Sequence, residues 1–238
     1  YDPEVTSFQA HHGNITQMDA AFGRLLKHLE KRGLREDTIL FFTSDNGPAI
    51  TSAHPHGSTA GLRNKKGSVY EGGIRVPGMI QWPRALTQPQ VLDIPISGVD
   101  VLPSFCQLAG IKPPKSLNLD GASFIGALGG RPIRRSKPLY WQFHGARGED
   151  QIAIIKDNWK LVGQFEGGSL PPHGDIFAEH QERIHSAKIT RYQLFDLSKN
   201  EMTDVQDEFS GVSRQLVAEM NRLFSSVQAD NPTWPAWV

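Results

Sequence analysis

The stretch 38–48 reads Thr38-Ile39-Leu40-Phe41-Phe42-Thr43-Ser44-Asp45-Asn46-Gly47-Pro48. Its first seven residues are almost all apolar or β-branched, a pattern typical of a strand buried on both faces of a parallel sheet. The run ends in Asp-Asn-Gly-Pro, which is a strong turn signal. Because ligands bind beyond the carboxyl ends of strands in open α/β sheets, this turn is a candidate site. We therefore predict an α/β fold that carries the turn at a functional edge.

The turn offers two oxygen donors next to each other in the chain. Asp45 supplies a carboxylate and Asn46 an amide carbonyl, and both are hard ligands that suit Ca²⁺ or Mg²⁺. Adjacent side chains of a strand point to opposite faces, but the Gly47-Pro48 turn allows both to converge. The alternative is a plain turn, because Asp-Asn-Gly is common turn chemistry. From these residues alone, the plain turn is the favoured interpretation.

The elements around this stretch divide into two regions. In residues 1–135 the patterns predict an amphipathic helix over 14–32 with Gly33 as its terminator, a strand over 76–82 and a helix over 100–110. In residues 136–238 they predict short strands over 139–143, 152–156, 160–165 and 192–197, with a turn at Asp157-Asn158, and a helix over 212–227. We predict that 136–238 forms a separate, small antiparallel sheet with a helix.

Composition excludes several classes of protein. The 238 residues carry 25 Lys and Arg against 25 Asp and Glu, and this zero net charge argues against a nucleic-acid partner. No run of 18 apolar residues is present, so we expect no membrane span. The single cysteine, Cys106, excludes internal disulfides and cysteine-based zinc clusters, and its apolar helical setting predicts a small core residue.

A second motif, at residues 61–77, combines basic and glycine residues. Lys66 lies between flexible residues and is able to reach an oxyanion as a compact point charge. The Gly72-Gly73 pair lets the backbone pass close to a site. His54 and His56, which precede the motif, suit substrate contact or proton transfer because histidine titrates near neutral pH. The alternative for the lysine and the two histidines is a solvated loop.

Together, the two motifs resemble the type I sulfatases, the arylsulfatase-like branch of the alkaline phosphatase superfamily. Asp-Asn-Gly followed by Lys-Gly…Tyr-Glu-Gly-Gly-x-Arg-x-Pro is the specific pair. The matching segments occur in the family's order at residues 18–19, 23–26, 37–48, 66–77, 100–103, 120–124, 159–161 and 194–197. The resemblance implies the C-terminal part of an alkaline-phosphatase-like α/β sandwich, followed by the small antiparallel sheet and helix.

The resemblance also implies residue roles. Asp45 and Asn46 match the last two ligands of a divalent cation, calcium rather than magnesium, and Lys66 matches a lysine that binds the sulfate. His54 and His56 stay candidates for substrate contact, whereas Glu71 and Arg75 are expected to hold the loop. No Cys/Ser-x-Pro-x-Arg motif is present, so the family's formylglycine nucleophile is expected upstream.

Three functions stay open at this point. The first is hydrolysis of a sulfate ester, on a small molecule or a glycan, by the intact protein. In this hypothesis the missing N-terminal half is the partner of these 238 residues, which alone are expected to be inactive. The second is a phosphatase or phosphodiesterase of the same superfamily, and the third is a non-catalytic binding module. The resemblance further implies export to a periplasmic, secreted or lysosome-like location.

Overall fold

The computed structural model describes residues 6–114, 116–148, 150–170 and 177–230. In the first region the helices are α1 (Ser7–Lys31), α2 (Glu71–Ile74) and α3 (Val101–Leu108), and the strands are β1 (Leu40–Phe42) and β2 (Met79–Gln81). In the second region the strands are β3 (Leu139–Gln142), β4 (Ile152–Lys156), β5 (Trp159–Phe165) and β6 (Ile189–Asp196), and the helices are α4 (Gln181–His185) and α5 (Ser210–Asp230).

Helix α1 confirms the predicted amphipathic helix but begins seven residues earlier, at Ser7 rather than at 14. Thr6 and Gln9 form a capping box there, because each side chain accepts a hydrogen bond from the other's backbone N–H. The helix ends at Lys31, and the predicted terminator Gly33 follows the C-cap Arg32 with a positive φ of 67°. Gly33 N–H donates to Glu30 O at 3.0 Å and Leu34 N–H to Leu29 O at 2.9 Å, which is a Schellman motif.

The prediction of a parallel strand buried on both faces is wrong for the described residues. β1 pairs antiparallel with β2, with Phe41 opposite Ile80, and its three residues are half-buried. β2 is also shorter than the predicted 76–82. A short apolar run identifies a strand but not its partner, because parallel and antiparallel pairing both accept such a run.

The second region confirms the predicted antiparallel sheet and helix. The strand order is β3-β4-β5-β6, and each strand is antiparallel to its neighbour. Lys156 and Trp159 are paired across the predicted turn, where Asp157 adopts a positive φ of 53°. α5 spans the predicted helix with two or three more residues at each end.

The two faces of this sheet carry different contacts, since alternate residues of a strand point to opposite faces. Ile152 and Ile154 of β4 face a core formed with α5. Ala153, between them, faces Val69 and Tyr70 of the first region. The buried residues of the α5 core are Ile152, Ile154, Leu161, Phe165, Leu194, Leu216, Met220, Leu223 and Phe224. The first region therefore packs on the sheet face that α5 leaves open, and the boundary at 135/136 stays a prediction.

Helix α3 forms within the predicted span, directly after a 3₁₀ turn at Gly98–Asp100. Its apolar side chains are not the expected core face, because Leu102 and Phe105 are exposed and Ser104 is its buried residue. Cys106 is half-buried, so its prediction as a core residue is wrong.

Two helices lie where the sequence predicts no regular element. α2 lies inside the motif at residues 61–77, and α4 lies between the predicted strands 160–165 and 192–197. The sequence also predicts a proline-rich tail with Trp234 and Trp237 that packs on the body, and residues 231–238 fall outside the described ranges. Across the described ranges, no helix is both long and apolar enough to cross a bilayer.

Candidate active site

The turn after β1 presents Asp45 and Asn46 at the surface. Asp45 is exposed and Asn46 half-buried, while Gly47 directly behind them is buried. Ser44 Oγ donates to the backbone oxygen of Asn46 at 3.1 Å and closes the turn from within. Two oxygen-bearing side chains therefore stand on a backbone that is held from behind.

Gly47 fixes this turn to helix α2. Its N–H donates to Gly73 O at 2.8 Å, and a Cβ added to Gly47 would lie 1.9 Å from Gly72 O. A Cβ on Gly72 would in turn lie 2.1 Å from Asn64 O. No L side chain fits either contact, so the glycines of both sequence motifs are required for backbone to pack on backbone. The prediction that Gly72-Gly73 permits a close approach is confirmed.

Lys66 is joined to the same turn through its backbone. Its N–H donates to Pro48 O at 3.2 Å, and its side chain is exposed. The neighbouring Lys65 differs, because its Nζ donates to Ile50 O and holds residues 49–50 in place. Asp45, Asn46 and Lys66 line one open cleft of about 410 Å³. The structure thus brings together the three residues for which the sequence predicts metal and sulfate binding.

His54 and His56 do not line this cleft. His54 is exposed, and its backbone hydrogen-bonds with Thr51. His56 Nε2 lies 2.9 Å from Ser7 Oγ, and its ring lies 5.4 Å from that of Phe8 at the start of α1. The role of the two histidines in substrate binding stays a prediction. Neither histidine lines the cleft that Lys66 lines.

A buried ion cluster holds α2 against the second sheet. Lys160 of β5 is fully buried, and its Nζ lies 3.0 Å from Glu71 Oε1 and 2.7 Å from Glu201 Oε1. Glu71 N–H donates to Glu201 Oε2 at 2.6 Å. Burial raises the pKa of Glu201, and the charge of Lys160 opposes this shift. Glu71 therefore holds the loop, as expected, and is buried away from the cleft.

Tyr70 makes a second connection between the regions. Its hydroxyl donates to the Asp150 carboxylate and lies 2.9 Å from Gln193 Oε1, while the Arg63 guanidinium stacks 3.8 Å above its ring. Burial, then the Asp150 hydrogen bond, raises the pKa of Tyr70 well above its usual range. The phenol is thus a protonated structural group.

A further part of the cleft lining was not predicted from the sequence. It comes from the end of β3 and the segment that follows, with Trp141, Gln142, Phe143, Gly145 and Arg147. The one local signal is an aromatic and glycine-rich run with an arginine, Phe-His-Gly-Ala-Arg-Gly at 143–148, directly after a strand. Nothing in that run indicates that it lines the same cleft as Asp45 and Lys66.

The donor set agrees with a hard cation but supplies only part of its shell. Asp45 and Asn46 offer oxygen donors at the cleft, whereas calcium takes about six to eight. Over the ranges that the structure describes, no group of three or more His, Cys, Asp or Glu side chains is placed to hold a metal ion. The two residues fit one edge of a calcium site.

Comparison with known proteins finds similarity to sulfatases along most of the chain. The Sulfatase family model matches residues 4–111, and the model "N-sulphoglucosamine sulphohydrolase, C-terminal" matches residues 61–170. Steryl-sulfatase of Homo sapiens is 32% identical over 203 residues, 78% of this chain and 34% of that protein. Arylsulfatase A of Homo sapiens is 38% identical over 193 residues, 79% of this chain and 36% of that protein.

A solved structure has the same fold. The PsFucS1 sulfatase from Pseudoalteromonas sp. superposes with a TM-score of 0.67 at 23% identity, covering 92% of this chain and 43% of that one. The predicted fold class, an α/β sulfatase portion with an antiparallel sheet and helix, is thereby confirmed. The chain is similar to sulfatases in sequence and in fold. It spans less than half the length of the curated relatives that it matches.

Proposed function

We propose that the intact protein hydrolyses sulfate esters and that the cleft lined by Asp45, Asn46 and Lys66 is part of its active site. The observation that carries the proposal is the convergence of Asp45, Asn46 and Lys66 on one open cleft. An ammonium beside oxygen ligands for a cation suits a sulfuryl group, because negative charge builds up on its oxygens during transfer. Lys66 binds the sulfate and stabilises charge on the leaving oxygen.

Asp45 and Asn46 hold one edge of the calcium site in this proposal. Bound calcium supplies fixed positive charge next to the sulfate. The buried Gly47 keeps both oxygen donors at the cleft through its hydrogen bond to Gly73. The remaining ligands and the formylglycine nucleophile belong to the upstream part of the protein, as the family resemblance implies.

The substrate class follows from the relatives and stays broad. One matching family model describes an N-sulphoglucosamine sulphohydrolase, which favours a sulfated glycan, and the steryl-sulfatase relative keeps a sulfated small molecule open. The proposal includes export of the intact protein, as expected for this family.

The test is Lys66→Ala in the intact protein, assayed on 4-nitrophenyl sulfate. We expect kcat to fall by about 100- to 1000-fold, the usual loss when one group that stabilises developing charge is removed. Folding should be unchanged, because the Lys66 side chain is exposed. Lys112→Ala, at an exposed lysine that does not line the cleft, is the matched control and should keep the wild-type kcat.

The same assay separates sulfate from phosphate chemistry. Wild-type protein should hydrolyse 4-nitrophenyl sulfate in preference to 4-nitrophenyl phosphate. Preferential turnover of the phosphate would replace the proposal with a phosphatase. A near wild-type kcat in Lys66→Ala would remove Lys66 from the reaction, and a wild-type protein inactive on both esters would favour a binding module.

A further inference from the structure

The segment Trp141 to Arg147 lines the same cleft as Asp45, Asn46 and Lys66. It combines two aromatic side chains, an amide and a guanidinium on one surface. Ligand pockets commonly pair apolar or aromatic lining with a few placed polar groups. This composition differs from that of Asp45, Asn46 and Lys66, two of which are charged.

Arg147 is fixed against Gly67, the residue that follows Lys66. Its backbone N–H donates to Gly67 O at 2.6 Å. Its Cγ and Cδ lie 3.1 Å from the position that a Cβ on Gly67 would occupy, and Gly67 has a φ of 87°. Gly67 therefore makes room for the Arg147 stem in a backbone conformation that favours glycine. The cationic side chain of Arg147 is therefore held against Gly67, which follows Lys66 in the sequence.

The backbone of the segment is firmly held by hydrogen bonds. Phe143 N–H donates to Gln151 O at 2.7 Å, and Leu170 N–H donates to His144 O at 2.9 Å. Ser169 Oγ donates to Ala146 O at 2.8 Å. The Phe143 side chain nonetheless stays 45% exposed. A rigid backbone that presents an aromatic ring and a cation loses little entropy when a ligand binds.

We propose that the segment Trp141 to Arg147 is the subsite for the leaving part of the substrate, and that Arg147 binds a second anionic group on a leaving sugar. This inference rests on the proposed sulfatase function. The planar guanidinium matches a carboxylate or sulfate through paired hydrogen bonds, and an exposed aromatic ring suits the apolar face of a sugar ring. The substrate class is therefore a glycan with an anionic group in addition to the sulfate that is removed.

The experiment measures whether the intact enzyme hydrolyses a substrate more efficiently when that substrate carries a second anionic group. One pair of substrates is a sulfated disaccharide with a uronate carboxylate and its methyl ester. The other is a disulfated disaccharide and its monosulfated form. 4-Nitrophenyl sulfate serves as the reference without a second anion. Wild-type enzyme should prefer the more anionic member of at least one pair, and the responding pair identifies the anion as carboxylate or sulfate.

Arg147→Met should remove that preference. We expect kcat/KM for the preferred disaccharide to fall roughly 10- to 100-fold, mostly through KM, with a much smaller loss on 4-nitrophenyl sulfate. Arg147→Lys should recover part of the preference, because it keeps the charge without the planar fork. Arg214→Met, at an exposed arginine of α5 away from the cleft, should match wild type on every substrate.

Two failures are distinguishable. If the wild-type enzyme hydrolyses no sulfate ester, the proposed function fails and this inference fails with it. If the wild-type enzyme is active but prefers neither anionic substrate, the inference alone is overturned. It is also overturned if Arg147→Met loses the same factor on all five substrates, since Arg147 would then serve the reacting sulfate itself.

Discussion

His144 is a buried histidine whose surroundings favour the neutral ring. The ring stacks on Phe165 at 4.5 Å with an interplanar angle of 19°. Its Nε2 lies 2.7 Å from Gln142 Nε2, and the Tyr140 hydroxyl donates to the other end of that amide. An amide N–H thus points at the ring nitrogen, which accepts only when unprotonated. Burial, followed by the charge of Arg183, lowers the pKa of His144 to about 4.

This lowered pKa predicts a loss of stability in mild acid. Since the pKa of His144 is lower in the folded state than the usual 6.5, its contribution is complete above pH 6.5. It is lost as pH falls towards 4, and amounts to about 3 kcal/mol over that interval. Urea unfolding of wild type and His144→Gln between pH 7 and pH 4 measures it.

Between pH 7 and pH 4, the free energy of unfolding of His144→Gln should fall by about 3 kcal/mol less than that of the wild type. His28→Gln, at an exposed position of α1, is the control and should follow the wild-type curve. Equal pH dependence of wild type and His144→Gln would contradict a neutral, buried imidazole.

At the residue scale, the sequence predicts which chemical groups a site uses better than it predicts where those groups lie in the fold. Asp45, Asn46 and Lys66 became candidates for one site through the family resemblance, because the residues alone favoured a plain turn and left a solvated loop open. The choice of Lys66 over Lys65 as the sulfate-binding lysine also required the family resemblance, because the two are neighbours in sequence. They differ only in the structure, where Lys65 Nζ donates to Ile50 O. Arg147 was not predictable, because its contact with Gly67 joins segments 80 residues apart.

At the scale of elements, α2 depends on strand β5 through one buried cation. Lys160 neutralises Glu71, at the start of α2, and Glu201, in the connection from β6 to α5. The following glycines of α2 hold the Asp45 turn, so the cluster links the second sheet to the cleft. Removing the cation leaves two carboxylates buried side by side, which is far more costly than losing an exposed pair.

Lys160→Met should lower the free energy of unfolding by about 3 to 5 kcal/mol at pH 7. The loss should shrink towards pH 4.5. The pKa of Glu201, already raised by burial, rises further without Lys160, and a carboxyl with a raised folded-state pKa contributes stability that disappears as pH increases. Urea unfolding of wild type and variant at pH 4.5 and pH 7 checks the size and direction.

The same substitution at a surface pair is the control for Lys160→Met. Lys156 of β4 is half-exposed and lies 2.8 Å from Glu219 of α5, so Lys156→Met should cost less than about 1 kcal/mol. Equal losses for the two variants, or a Lys160→Met loss that grows towards acid pH, would contradict the role of the cluster.

Elements were predictable where their signal is local. β4, its hairpin to β5 and α5 follow from an apolar run, turn chemistry and helical periodicity in contiguous residues. The partner of β1 was not predictable, because an apolar run carries no information about strand direction. α2 was not predictable either, since a four-residue helix with two glycines forms through its contacts with Arg63, Gly47 and Lys160 rather than through propensity.

At the scale of the molecule, the buried core is concentrated between α5 and one sheet. α5 buries Leu216, Met220 and three other residues against the sheet. None of the described residues of α1 is buried, although that helix is four residues longer and equally amphipathic in sequence. Helices in proteins owe most of their stability to tertiary packing, so two helices of similar length should differ strongly in local stability.

Amide hydrogen exchange of the 238-residue chain should therefore show α1 opening locally while α5, β4 and β5 exchange through near-global unfolding. A matched pair of variants tests the same difference. Leu216→Ala, at a side chain that is 4% exposed, should lower the free energy of unfolding by roughly 2 to 5 kcal/mol. Leu25→Ala, at a side chain that is 45% exposed, should cost less than about 0.5 kcal/mol because alanine also suits a helix. Equal protection of the two helices, or equal losses in the two variants, would mean that α1 belongs to the same cooperative core.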